Sequence, residues 1–251
     1  MRSTEWIVGP GHASAAPATK AKGPAPKAKL GSLPEWNLTD LYPSVDAPRL
    51  HTDLKTAEQA ADVMHERYCG KLAKVADGGK GGAALADAVR EFEALSDIMG
   101  RIVSYASLLY AADTADPKRQ KFFGDIQEKI TTISSKLLFF PLELNRIEDE
   151  VLEKAMASSE LGHYRPWIED LRKEKPYQLE DKLEQLFHEK AVTARGAWDR
   201  LFNETMTSLR FETDGEKLSL EPTLNRLLDQ DGNKRRGAAE ALAVRKRSKR
   251  R

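Results

Sequence analysis

The chain has 251 residues, 40 Lys and Arg against 39 Asp and Glu, and a hydrophobic share of 40%. That length can bury a substantial core, and the mix suits a soluble, helix-rich protein while excluding full disorder. No run approaches the ~18 apolar residues of a spanning helix, and a single cysteine, Cys69, excludes an internal disulfide framework and any multi-cysteine metal cluster.

The net charge of +1 divides into +4 over residues 1–31, +6 over the last seven residues and −9 between them. An acidic body repels nucleic-acid phosphates, so no specific nucleic-acid partner is expected. Residues 1–32 form an Ala/Pro/Lys-rich leader. Pro10, Pro17, Pro24 and Pro26 lie in a stretch with almost no large apolar group, too little to offset the entropy of ordering. The leader lacks the apolar centre of a secretory signal.

At Leu33 the texture changes. Leu33–Pro43 mixes apolar anchors with turn residues, and Trp36, Leu38, Leu41 and Tyr42 are its expected core contacts. A first helix starts near Asp46, expected as N-cap, with Pro48 in the first turn. Leu50, Leu54, Ala57, Ala61, Met64 and Tyr68 share one helical face. Gly78–Gly82 reads as a flexible connection; no Lys-Ser/Thr pair follows, so it is not a phosphate loop.

A second helix is predicted over Ala83–Ala112, its stripe running from Leu85 through Phe92 and Ile102 to Leu109. Asp116-Pro117 caps a third, with Phe122, Ile126, Ile130, Ile133, Leu137 and Phe140 inward and Pro141 ending or kinking it. Shorter helices follow over Leu144–Ala157 and Tyr164–Lys173. A long helix then spans Leu179–Leu209, with Leu179, Leu183, Leu186, Trp198, Leu201 and Leu209 on its buried side. Asp214-Gly215 between short alternating runs signals a hairpin near 210–220. A short helix to Leu228 and a last one over Asn233–Val244 lead into the basic tail. The expected fold class is mainly α, a multi-helix lobe with long antiparallel helices and one small β-hairpin.

Candidate chemistry is sparse. His12 lies in the leader, and His51 and His65 flank the first stripe as surface residues. His163 is a local hydrogen-bonding residue. His188-Glu189 opens like a zinc-peptidase His-Glu-x-x-His helix, where residues i and i+4 jointly hold the metal. The fourth residue on is Val192, which cannot ligate, so His188 reads as a surface residue. Cys69 reads as an incidental thiol. No catalytic, cofactor-binding or metal-ligating residue is assigned.

Specific strings carry a resemblance. Leu33–Ser44 (LPEWNLTDLYPS), Leu137–Ile147 (LLFFPLELNRI), His163–Phe211 and Asp214–Leu228 resemble the N-terminal part of the oligoendopeptidase F family, thimet-oligopeptidase-like zinc metallopeptidases. The resemblance implies that residues 33–243 are a helical lobe walling one side of a substrate channel. It also implies that zinc and the catalytic lobe belong to a larger parent acting on short peptides. None of the parent's zinc ligands falls in this chain, which is expected to bind no zinc and to be inactive alone. Residues 244–251 depart from the family pattern and are expected to be foreign to the fold, as a truncated or frameshifted reading frame would make them. A cytoplasmic location without membrane contact is expected. The alternative reading is a stand-alone helical interaction module.

Overall fold

The computed structural model describes residues 36–248, with side chains to residue 244; the leader and His12 lie outside the described residues. The first stripe forms α1 (Pro48–Tyr68), which the short α2 (Leu72–Asp77) connects to α3 (Gly81–Ala112). After a tight turn comes α4 (Pro117–Leu137). Asp116 caps it, its Oδ1 accepting from the Lys118 N–H at 2.8 Å. Leu50, Ala57, Ala61, Met64 and Tyr68 of α1 are buried as their spacing predicts. So are Leu85, Phe92 and Ile102 of α3, and Ile126, Ile130, Ile133 and Leu137 of α4.

Contacts fix the helix directions. Arg101 late in α3 pairs with Asp53 early in α1, while Glu91 early in α3 takes Arg67 late in α1. Tyr105 late in α3 meets Phe122 early in α4 edge-on at 6.0 Å. Both pairs of helices are therefore antiparallel. His65 and Lys136 sit near the C-terminal ends of α1 and α4, so those two run parallel.

Two expectations at this end need correction. Asp46 is not the cap of α1; Ala47 is, without a side-chain cap bond. Pro48 in the first turn has no N–H to satisfy, and Ala47 is buried, so position is set by packing. Trp36, expected to contact the core, is 78% exposed, while Tyr42 is fully buried and donates its hydroxyl to Asp53 Oδ2 at 2.7 Å.

The glycine run is also not a loose connection. Gly81 and Gly82 already form the first turn of α3. A Cβ on Gly81 would lie 1.8 Å from the Ala76 carbonyl oxygen, and one on Gly82 2.5 Å from that of Ala155. Here glycine is required by close approach of backbones.

Past α4 the chain turns at Leu138 into α5 (Phe139–Arg146), followed by α6 (Asp149–Met156). Pro141 ends α4 as predicted: its ring would clash with the carbonyl four residues back, at Leu137. The single helix expected over Leu144–Ala157 is thus two. Its break is filled by Arg172, whose guanidinium donates to the carbonyls of Leu144 and Ile147, each at 3.1 Å, and pairs with Asp149. Arg172 comes from α8 (Arg165–Arg172), which follows the four-residue α7 (Ser159–Gly162).

The long helix expected over Leu179–Leu209 is likewise two, α9 (Asp181–Ala191) and α10 (Arg195–Ser208). Val192 and Thr193 are adjacent β-branched residues, poor helix formers, and Ala194 leaves helical dihedrals at φ −100°, ψ −96°. Gly196 lets α10 begin close to the Ala191 carbonyl, 3.2 Å from where a Cβ would stand.

The hairpin forms where Asp-Gly predicts it. β1 (Phe211–Thr213) pairs antiparallel with β2 (Glu216–Leu218), Phe211 opposite Leu218. Asp214 and Gly215 have φ of 51° and 76°, the positive values a two-residue hairpin turn needs. It packs on α11 (Leu220–Arg226) and α12 (Gly232–Ser248). Arg226 ties the turn, donating to the Thr213 carbonyl at 3.1 Å and pairing with Asp214 and Glu216. α12 continues to Ser248, beyond the end expected at Val244.

Candidate functional site

The least conventional surface of the molecule is formed by α9 and α10, which run along the outer face of α4 in the opposite direction. Arg146 pairs with Asp181 at the start of α9. Further on, Ser134 of α4 meets His188, Arg200 reaches Gln127 at 3.4 Å, and Thr207 reaches Thr114 at 3.3 Å. This seam is polar because α4 presents Gln127 and Ser134 there. A polar neighbour takes the polar side of α9–α10 and turns the apolar side outward. Leu183, Leu186, Trp198 and Leu201, expected to be buried, are therefore exposed, as are Phe187 and Phe202. Leu179 and Leu209 are half-buried.

His188 is not the surface residue its sequence context suggests. Its Nε2 lies 2.8 Å from Ser134 Oγ in the seam. Burial pushes its pKa below the ordinary 6.5, against a smaller opposing pull from Glu189. The pair has the elements of a nucleophile and a base, but Ser134 sits in the body of α4 and its Oγ also approaches the Thr131 carbonyl at 3.2 Å. Backbone N–H groups around it are spent on helix bonds, so no oxyanion donors converge there. It is a packing bridge.

The other described histidines, His51, His65 and His163, do not join it. His65 Nδ1 lies 2.9 Å from the Lys136 carbonyl, and its ring stands edge-on to Phe139. His51 is exposed on α1, and His163 stacks edge-on against its neighbour Tyr164 at 5.1 Å. Among the described residues no three His, Cys, Asp or Glu side chains gather where one metal ion could be held. Cys69 caps α1, and burial, followed by the Glu143 carboxylate, pushes its thiol pKa up. A raised pKa leaves little thiolate at neutral pH.

Sequence reasoning missed Glu143 and Arg172. Glu143 accepts from the Gly70 N–H at 2.6 Å and more weakly from Leu72 N–H, joining α5 to the α1–α2 turn. Both act over more than twenty residues of separation, which local pattern does not reveal. A cleft of about 420 Å³ lies between the facing ends of α3 and α4 and the side of α10, lined by Tyr110, Phe123, Arg200 and Glu204 among others. Tyr110 stacks on Phe123 at 5.0 Å, and its buried hydroxyl has no hydrogen-bond partner among the described residues. These groups can bind polar matter, and among the described residues no three metal-ligating side chains gather there.

Residues 143–211, from α5 into β1, match the family described as Oligopeptidase F. Oligopeptidase PepF of Bacillus subtilis (strain 168) is 26% identical over 189 residues, covering 72% of this chain and 27% of that protein. The crystal structure of oligoendopeptidase-F from Enterococcus faecium shares the fold with a TM-score of 0.65 at 18% identity, over 77% of this chain and 38% of that one. The chain is thus similar to oligoendopeptidase F proteins and spans about a quarter of the length of the curated relative it matches.

Proposed function

We propose that the chain acts as the N-terminal helical lobe of a zinc-dependent oligoendopeptidase, walling the space in which short peptides are cleaved. The match of residues 143–211 to Oligopeptidase F carries this reading. In such an enzyme zinc would polarise the scissile carbonyl and lower the pKa of an attacking water. In this reading the ligands, the general base and the peptide-bond chemistry belong to a separate catalytic lobe. This lobe's share of the work is steric. Packed helices limit what enters, and the covered volume excludes large folded substrates. The reading places the protein in the cytoplasm, and no helix among the described residues is long and apolar enough to cross a membrane.

The purified chain is expected to leave a short fluorogenic peptide uncut, with or without added zinc, while intact oligopeptidase F cleaves it. Chelator-sensitive hydrolysis by the chain alone, persisting through rechromatography, would falsify the assignment of all chemistry to another lobe.

The His188 seam makes a second testable statement, about stability. An imidazole whose folded pKa is depressed binds fewer protons folded than unfolded, so stability is full above pH 6.5 and falls as pH drops below it. Thermal unfolding followed by circular dichroism between pH 7 and pH 5 is expected to show that decline, and His188→Gln is expected to flatten it. An unchanged slope in the variant would remove His188 as the cause.

A further inference from the structure

We infer that α9–α10 is a strap that lifts from α4 without unfolding the helices beneath it, with the His188–Ser134 contact as its latch. The seam between strap and α4 has no share in the hydrophobic core. That core runs from Tyr42 to Leu171, and no hydrophobic residue of α9 or α10 belongs to it or packs against it. The contacts along the seam are polar and well separated: Asp181 with Arg146, His188 with Ser134, Arg200 with Gln127 and Thr207 with Thr114. Water replaces exposed bonds of this kind at little cost. A unit held in this way opens at lower free energy than a core whose opening exposes buried apolar area. Both sides of the seam belong to this chain, so its character depends neither on what covers the outward face nor on the peptidase reading.

The backbone supplies hinges. Gln178 and Glu180 before α9 and Leu209 after α10 are extended, with ψ of 131°, 147° and 136°. Between the two helices Ala194 lies outside helical dihedrals. Changes of φ and ψ at a few such element ends are enough for a rigid swing. Gln178 Nε2 donates to the Leu142 carbonyl at 3.1 Å, which keeps the chain tied just before the strap begins.

Two polar groups under the strap gain from its lifting. The buried Tyr110 hydroxyl, without a partner among the described residues, lies within the influence of Glu204 and Arg200 of α10. An unsatisfied buried hydroxyl destabilises the docked state and recovers a partner when water enters. His188 is the second. Of the charged groups on α4, α9 and α10, Glu189 alone acts on it, and α4 meets it with the uncharged Ser134. Burial therefore keeps its pKa below 6.5 while docked. The lifted imidazole returns to its ordinary value, so protons favour the lifted state as pH falls below 6.5.

Amide hydrogen exchange of the full chain, resolved by peptide mass spectrometry and corrected for intrinsic rates, tests the strap. At pH 7 the amides of α9 and α10 are expected to be protected, but at least about a hundredfold less than those of α3. Urea below the global midpoint is expected to lower protection in α3 steeply and in α9–α10 only slightly, because lifting exposes little apolar surface. Tyr110→Phe removes the orphan hydroxyl and is expected to raise α9–α10 protection about fivefold. Ser134→Ala is expected to lower it severalfold. Between pH 7 and pH 5.5 the same protection is expected to fall, and His188→Gln to abolish that dependence. Exchange in α9–α10 that matches α3 in size and urea dependence would overturn the inference, as would no protection there at pH 7. Protection indifferent to both Tyr110→Phe and His188→Gln would overturn it as well.

Discussion

Phe140→Ala is expected to cost about 3–5 kcal/mol of folding stability. Phe140 is fully buried and stacks on Phe92, their ring centroids 4.7 Å apart, where α5 folds back against α3. Phe139 closes on it edge-on at 6.2 Å. Truncation removes the transfer free energy of the ring and leaves a cavity that this fixed aromatic cluster fills only partly. For a domain of this size such a loss lowers the melting temperature by roughly 10 °C. Differential scanning calorimetry checks it, and a melting point within experimental error of the parent would show that the Phe92–Phe140 contact does not bear on the global fold.

Gly81→Ala and Gly100→Ala are expected to act in opposite directions within one helix. Both residues lie in α3, and alanine gains about 1 kcal/mol over glycine in a helix interior. At Gly100 nothing lies within 4 Å of the added Cβ, so that gain is expressed. At Gly81 the new carbon would stand 1.8 Å from the Ala76 carbonyl oxygen, which is backbone and cannot rotate away. Relieving that overlap requires moving the α2–α3 joint, and overpacking against fixed backbone costs about 1–3 kcal/mol or more, outweighing the helix gain. Urea titrations of the two variants check the signs. Equal midpoints would mean that the joint yields freely, contrary to the packing seen between Gly82 and the Ala155–Ser158 segment.

The long helices were legible because their apolar residues repeat over five or six turns, long enough for one face to be unmistakable. The stripes on α1, α3 and α4 are the core of the structure. The hairpin was legible for a different reason: Asp214-Gly215 satisfies a local backbone demand for positive φ that few residue pairs meet. Caps and joints were less so. Asp46 carries the right side chain for an N-cap, yet the burial of Ala47 sets the helix start. Gly78–Gly82 has the composition of a flexible link, and only the proximity of Ala76, Ala155 and Ser158 shows it to be a tight joint. The relation to oligoendopeptidase F was legible in extended strings. It entered through residue identity, since periodicity cannot distinguish one helical lobe from another.

The α9–α10 region shows where sequence alone gives out. Its residues define an amphipathic helix but not which side the rest of the molecule will accept. A helix normally buries its apolar stripe because that is the larger gain per area. Here α4 offers Gln127 and Ser134, so the polar side with His188 and Arg200 is drawn in and Leu186, Phe187, Trp198 and Phe202 face water. Sequence by itself determined the helical character of this protein, the turn of its hairpin and the positions that fill its three-helix core, because each follows from local sterics or from periodicity within one segment. Tertiary structure decided the direction of the α9–α10 face, the split closed by Arg172 and the burial of His188. Each of those depends on which groups a distant segment presents, information that no single segment contains.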